Sequence, residues 1–196
     1  MGGVALNFVR EDALHPGFVS GGFYHAAPGI LPSTTTMTVT QNILYAQPLI
    51  LHRPARVNGI TCNVTTGAVG AARFGIYRSA GVVPSALVAE TAELASTNAI
   101  ATNHQTFSTP PTLAAGLYWI GIVTSGTPSV TRFGGSPNAF GGYSFWISGT
   151  TAAGLYSTAS GRTGGYQVAH TYGALPASFG TPVDTVSTPL MGWSHV

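Results

Sequence analysis

Five side chains supply all the carboxylate in this chain: Glu11, Asp12, Glu90, Glu93 and Asp184. Cleaving a glycosidic bond takes two carboxyl groups that face each other across it. Glu11 and Asp12 are sequence neighbours. Glu90 and Glu93 share a face on a helix but point to opposite faces on a strand. No motif supports an acid–base assignment for them, and solvation at the surface is the favoured reading. The histidines (His15, His25, His52, His104, His170 and His195) form neither His-x-His nor His-Glu-x-x-His, so metal ligation at local spacing is not expected. Cys62 is the single cysteine, which excludes a disulfide within the chain. It lies in an alternating apolar run and reads as core, not as a nucleophile. Asn63-Val64-Thr65 has the form of a glycosylation acceptor. The start of the chain, Met1 to Asp12, lacks the pattern of a secretory leader, so that match reads as chance. Gly134-Gly135 and Gly141-Gly142 lack the Gly-Lys-Ser/Thr ending of a phosphate loop. The expectation is therefore no catalytic residue, no metal and no cofactor.

Binding chemistry is better represented. From Phe133 to Tyr172, aromatic rings stand among Gly, Ser, Thr and Asn. Aromatic faces stack on the C–H groups of sugars, and amides and hydroxyls satisfy the sugar hydroxyls. The same composition suits adaptable protein recognition. Tyr143, Trp146, Tyr156 and Tyr166 are the candidate contacts, with Arg162 placed to meet an acidic sugar or a neighbouring subunit. The competing reading is that these rings fill a core, the commoner fate of any one of them.

The elements that must hold such residues follow from composition and pattern. Hydrophobic residues make up 44% of the 196, charged residues 6%, and Lys is absent. Disorder requires low hydrophobicity and high charge, the opposite balance. Coiled coils and long helical bundles need the charged residues that are missing. Seven scattered arginines and a formal charge of +2 give no basic footprint for nucleic acid. No apolar run is long enough for a membrane-spanning helix. So few charges leave the surface poorly protected by self-repulsion and suited to packing against neighbours.

Residues 1–32 are broken by Pro and Gly every few positions, which predicts an irregular arm. Phe8, Arg10, Phe18, Phe23 and Tyr24 are its candidate docking residues. From Ser33 onward, short strands alternate with turns. Strands are expected at Thr34–Thr40, Leu44–Leu51, Val57–Thr65, Ala72–Tyr77, Gln105–Thr109 and Leu117–Val123, and possible short ones at Tyr143–Ile147, Tyr166–Thr171 and the C-terminal end. In Val57–Thr65, the alternation groups Val57, Gly59, Thr61 and Asn63 on one face and Ile60, Cys62 and Val64 on the other. Leu87–Leu94 fits a strand or one short helix. This spacing predicts an all-β chain: an antiparallel, jelly-roll-like β-sandwich over residues 33–196, preceded by the arm.

A set of ordered motifs adds a resemblance. Asn42-x-Leu44-Tyr45-Ala46-x-Pro48 comes first, then Asn58-Gly59-Ile60 leading to Val64-Thr65-Thr66-Gly67-Ala68. Gly70-x-Ala72-Arg73-x-Gly75-Ile76-Tyr77 and Val83-Pro84-Ser85-x-Leu87-Val88 follow, then Thr112-Leu113-x-Ala115-Gly116-x-Tyr118-Trp119-Ile120. From Thr38 to Val123 the chain resembles tailed-phage virion structural proteins of the fibre, spike and appendage type. The resemblance implies a β-sandwich located in the virion, non-enzymatic and homo-oligomeric, with a trimer favoured. Its partners would be capsid, portal or tail proteins, and the distal loops would contact host surface polysaccharide. The alternative is a capsid decoration (cement) protein that braces the head lattice. A depolymerase ranks below both.

Overall fold

The structure, a computed structural model, describes residues 24–25, 36–134, 165–185 and 187–195. Its strands are β1 (Tyr24–His25), β2 (Thr36–Thr38), β3 (Ile43–Leu51), β4 (Ala55–Thr66), β5 (Ala72–Ala80), β6 (Val83–Glu90) and β7 (Ala101–Thr106). They continue as β8 (Thr112–Leu113), β9 (Gly116–Thr124), β10 (Ser129–Gly134), β11 (Gly165–Ala169), β12 (Val183–Thr185), β13 (Ser187–Pro189) and β14 (Met191–His195). No helix occurs among the described residues.

Two antiparallel sheets form a β-sandwich. The eight-stranded sheet runs β1-β14-β4-β10-β13, with β2 beside β10 and with β7 and β8 beside β4. The six-stranded sheet runs β12-β11-β3-β9-β5-β6. The chain changes sheet between β2 and β3, β3 and β4, β4 and β5, β6 and β7, β8 and β9, β9 and β10, β10 and β11, and β12 and β13. This repeated crossing is the jelly-roll-like pattern, and the all-β sandwich expected from the sequence is the fold observed.

The apolar runs reflect burial on two faces. β3 and β9 pair along their length in the middle of the six-stranded sheet, Tyr45 facing Ile122 and Leu51 facing Gly116. One face of that sheet meets the other sheet. There Tyr45, Leu49, Phe74, Ile76, Ile120 and Ile122 pack against Val57, Ile60, Cys62, Val64, Val130, Met191 and Trp193. The opposite face is covered by residues 171–181, which form a strap. Leu175 and Phe179 of the strap pack on Leu44, Ala46, Tyr77, Trp119, Val123 and Tyr166. A strand covered on both sides has no reason to alternate, so its sequence reads as continuously apolar. Pairing of β3 with β11 stops at Ala46, short of Pro48, which has no N–H to give.

β4 alternates as a strand with one wet face should, with one departure. Val57 was grouped with Gly59, Thr61 and Asn63, yet it is fully buried with Ile60, Cys62 and Val64. The register between β14 and β4 slips here: Ser194 faces Gly59, while His195 faces Val57. This β-bulge at Asn58 inserts one residue and reverses the facing of what precedes it.

The segment read as strand or short helix is strand to Glu90. Residues 91–94 follow without regular structure, and Leu94 forms a single bridge to Ala72. The strand expected at Gln105–Thr109 lies earlier, as β7. The arm was expected to end at residue 32, yet its Tyr24–His25 pair with Ser194 and Trp193 at the edge of the eight-stranded sheet.

Candidate functional site

The outer face of the eight-stranded sheet is its most distinctive surface. The register places Gly59, Thr61 and Asn63 of β4 beside Thr106, His104 and Thr102 of β7. On the other side of β4 stand Ser194 and Gly192 of β14, then Thr131 and Ser129 of β10, then Thr36 and Thr38 of β2. No Asp, Glu, Lys or Arg lies within residues 36–38, 59–66, 101–106, 129–131 or 192–194. Seven of the polar side chains are paired with one another. Asn63 Nδ2 donates to Thr131 Oγ1 at 2.9 Å, and Thr102 Oγ1 donates to Asn63 Oδ1 at 3.1 Å. Thr38 and Ser129 share a hydroxyl–hydroxyl bond of 3.0 Å. His104 Nε2 and Ser194 Oγ share an imidazole–hydroxyl hydrogen bond of 3.0 Å. The imidazole fits because position 59 is glycine: a Cβ there would collide with His104 Nε2. Burial holds the His104 pKa below the usual imidazole value, since it disfavours the charged form. The result is a neutral patch of hydroxyls, an amide and an imidazole, each able to donate and accept.

The carboxylates Glu90 and Glu93 take a different part from the one foreseen. Strand geometry would have sent them to opposite faces. Instead β6 ends at Glu90, and the irregular residues after it return Glu93 to the same guanidinium. Arg73 Nη1 meets Glu90 Oε1 at 3.0 Å and Nη2 meets Glu93 Oε2 at 3.2 Å. The hydrogen bond to Glu90 is the main reason the Arg73 pKa is raised further. Tyr172 donates its hydroxyl to Glu93 Oε2 at 2.9 Å, and its backbone N–H donates to Asn42 Oδ1 at 2.9 Å. Burial first, and Glu93 second, push the Tyr172 phenol up to about 12. Asn42 has φ 60°, a left-handed conformation that asparagine tolerates better than most residues. Two carboxylates that share one cation do not face each other across a space for substrate. They clamp the start of the strap to β5 and to the chain after β6.

Of the candidate glycan contacts, only Tyr166 is described. It lies in β11 on the face under the strap, 6% exposed, with its ring 5.1 Å from that of Trp119 at 66°. That ring is part of the packing, as the core reading anticipated. Tyr143, Trp146, Tyr156 and Arg162 lie outside the described residues, as do Phe8, Arg10, Phe18 and Phe23. Tyr24 is placed by register opposite Ser194. Cys62 is buried, its thiol pushed up to about 12 by desolvation, which keeps it a thiol and not a nucleophilic thiolate. Asn63 of the acceptor sequence is engaged on the sheet face by Thr131 and Thr102. Among the described residues, no group of three or more His, Cys, Asp or Glu is placed to hold a metal ion, and no helix is long and apolar enough to cross a membrane.

The neutral face itself was not singled out from sequence. Its signal was the period-two recurrence of Ser, Thr and Asn in β2, β4 and β10, and of Thr102, His104 and Thr106 in β7. No protein-family model matches the chain, and no curated protein matches it either.

Proposed function

We propose that this chain is a non-enzymatic structural protein of a tailed bacteriophage or phage-like particle. It serves as a subunit of a spike, fibre or tail appendage, docked through residues 1–32 and self-associating, with a trimer expected. Loops from the stretch that holds Tyr143, Trp146 and Tyr156 meet the glycan of the host surface. The observation that carries the reading is the ordered motif set from Asn42 to Ile120. It coincides with framework elements: Leu44-Tyr45-Ala46 in β3, Gly75-Ile76-Tyr77 in β5, and Tyr118-Trp119-Ile120 in β9. The neutral sheet face supports it further. A face without charge can be buried against a neighbour without desolvating an ion, the most costly part of burying polar surface.

Gold-antibody labelling of intact particles under the electron microscope tests this reading. Label at a few discrete points, on the tail or at head vertices, is expected. Label spread evenly over the head would replace the appendage by a lattice-bracing role. Particles without label would refute both. A docking test by truncation should remove residues 1–23 and keep Tyr24–His25, because β1 belongs to the sheet.

A further inference from the structure

The strap over the six-stranded sheet stands apart from the sandwich beneath it. The core between the two sheets contains no residue of 171–181. Leu175 and Phe179 of the strap belong instead to a second cluster, on the outer face with Leu44, Ala46 and Tyr77. Among the described residues, the one ladder contact of the strap is a bridge from Ser178 to Ala86. Two backbone hydrogen bonds join it to β6 there. Leu87 N–H donates to Ala177 O at 2.9 Å, and Phe179 N–H donates to Ser85 O at 2.8 Å. Gly173 and Gly180 bracket the two apolar anchors, and Gly180 has φ 86°, a conformation that favours glycine.

One row of β5 seats the strap. Arg73, Gly75 and Tyr77 are alternate residues of that strand and so share a face. Arg73 pairs with Glu93, which accepts the hydroxyl of Tyr172 at the head of the strap. Gly75 leaves room for Leu175, since a Cβ there would lie 2.5 Å from Leu175 Cδ1. Tyr77 makes two contacts. Its hydroxyl donates to Pro176 O at 3.3 Å, and its ring meets that of Phe179 edge-on, with centroids 5.3 Å apart at 89°. Leu175, Pro176 and Phe179 therefore rest on two neighbouring positions of one strand, and a displacement at one disturbs the others.

We infer that residues 171–181 form a latch: they lift from the sheet as one unit while the sandwich stays folded, and the Tyr172–Glu93 hydrogen bond is the catch at their head. A segment with few buried apolar contacts opens at a lower free energy than the whole fold. Leu175 and Phe179 are the only buried residues of the strap. The core between the sheets is complete without them. The catch is a surface contact, because the Glu93 side chain is 40% exposed, and exposed pairs hold weakly. Opening bares Leu44 and Tyr77 on the outer face, and Ser85 O and Leu87 N–H on β6. Closed, the strap hides an apolar patch of the kind that draws other molecules. The inference does not depend on the phage reading.

The test is native-state hydrogen exchange of the full-length protein, followed amide by amide as urea is raised below the unfolding transition. The Leu87 and Phe179 amides report the junction of strap and β6. The Tyr172 amide, which donates to Asn42 Oδ1 at 2.9 Å, reports the head. Ile120, in β9 between β3 and β5, reports the sandwich. Leu87, Phe179 and Tyr172 are expected to share one protection factor, at least about tenfold below that of Ile120 and less sensitive to urea. Tyr172→Phe keeps the ring and removes the hydroxyl that meets Glu93. It should speed exchange at Leu87 and Phe179 by about three- to tenfold, the worth of one hydrogen bond. Leu87 and Phe179 amides that exchange only together with Ile120 would overturn the inference, because the strap would then open only with the sandwich. Rates at Leu87 and Phe179 that Tyr172→Phe leaves unchanged would overturn it equally, because the strap would then fray piece by piece.

Discussion

Gln47 is fully buried between the sheets, and its side-chain amide does the work of a peptide group. Its Nε2 donates to Met191 O at 3.0 Å, and its Oε1 accepts from Met191 N–H at 2.7 Å. One side chain of β3 thus satisfies both backbone groups of a β14 residue in the opposite sheet. Gln47→Leu keeps the volume but orphans a buried donor and a buried acceptor, each costing about 1–3 kcal/mol. A loss of about 2–5 kcal/mol in urea unfolding is expected, and a change below about 0.5 kcal/mol would show that water replaces the amide. His104 makes a prediction in pH. Its neighbours on β4 and β14, Thr61 and Ser194, carry no charge, and burial lowers its pKa. The unfolded chain then binds the proton first. The His104 contribution is complete above the unfolded value of about 6.5 and is lost as pH falls below it toward the folded value. The wild type should lose thermal stability between about pH 7 and 5 more steeply than His104→Gln; equal slopes would assign the loss elsewhere. Neither residue announced itself in the sequence. Gln47 stands unmarked between Ala46 and Pro48, because its partner lies 144 residues away. Cys62 was legible as core, since local alternation alone decided it.

The strands differ in how much of their placement is local. β3 and β9 were plain as apolar runs, but the cause, a sheet covered on both faces, was not, because the cover is the irregular strap. Its sequence, Tyr172-Gly-Ala-Leu-Pro-Ala-Ser-Phe179, has no period to read. It docks where Gly75 and Gly121 face each other across β5 and β9. A Cβ on Gly75 would lie 2.5 Å from Leu175 Cδ1 and 2.9 Å from Ala89 O. The side chain can move, but the carbonyl cannot without disturbing β6. Gly75→Ala should therefore cost about 1–3 kcal/mol, the range for overpacking, and should speed limited proteolysis within residues 171–181. Unchanged proteolysis together with unchanged stability would mean that the strap is not seated by this gap. The bulge at Asn58 was equally invisible, since one inserted residue leaves the composition of β4 untouched and only reverses the facing of Val57. β7 was placed too late because Phe107, buried in the core, looked like a strand centre when it marks the turn out of the strand.

For the molecule as a whole, composition carried most of the information. High hydrophobicity with 6% charge excluded disorder and helical bundles, and frequent turns predicted the antiparallel sandwich that is present. The same composition explains the neutral outer face: a chain with so few ions has little else than hydroxyls and amides with which to wet a sheet. Composition could not show that Glu90 and Glu93, two of its five acids, converge on Arg73, because that convergence depends on where β6 ends. The aromatic stretch from Tyr143 to Tyr156 lies outside the described residues, so the glycan-contact proposal rests on sequence alone. The framework motifs and the neutral patch both support the proposal that the chain is one part of a larger particle. Quantitative mass spectrometry of gradient-purified particles from the producing culture tests that most directly. The chain is expected to co-sediment with the major capsid protein at a fixed number of copies per particle through successive gradients. Its absence from the particle fraction, or a ratio to capsid protein that falls with each gradient, would contradict the account.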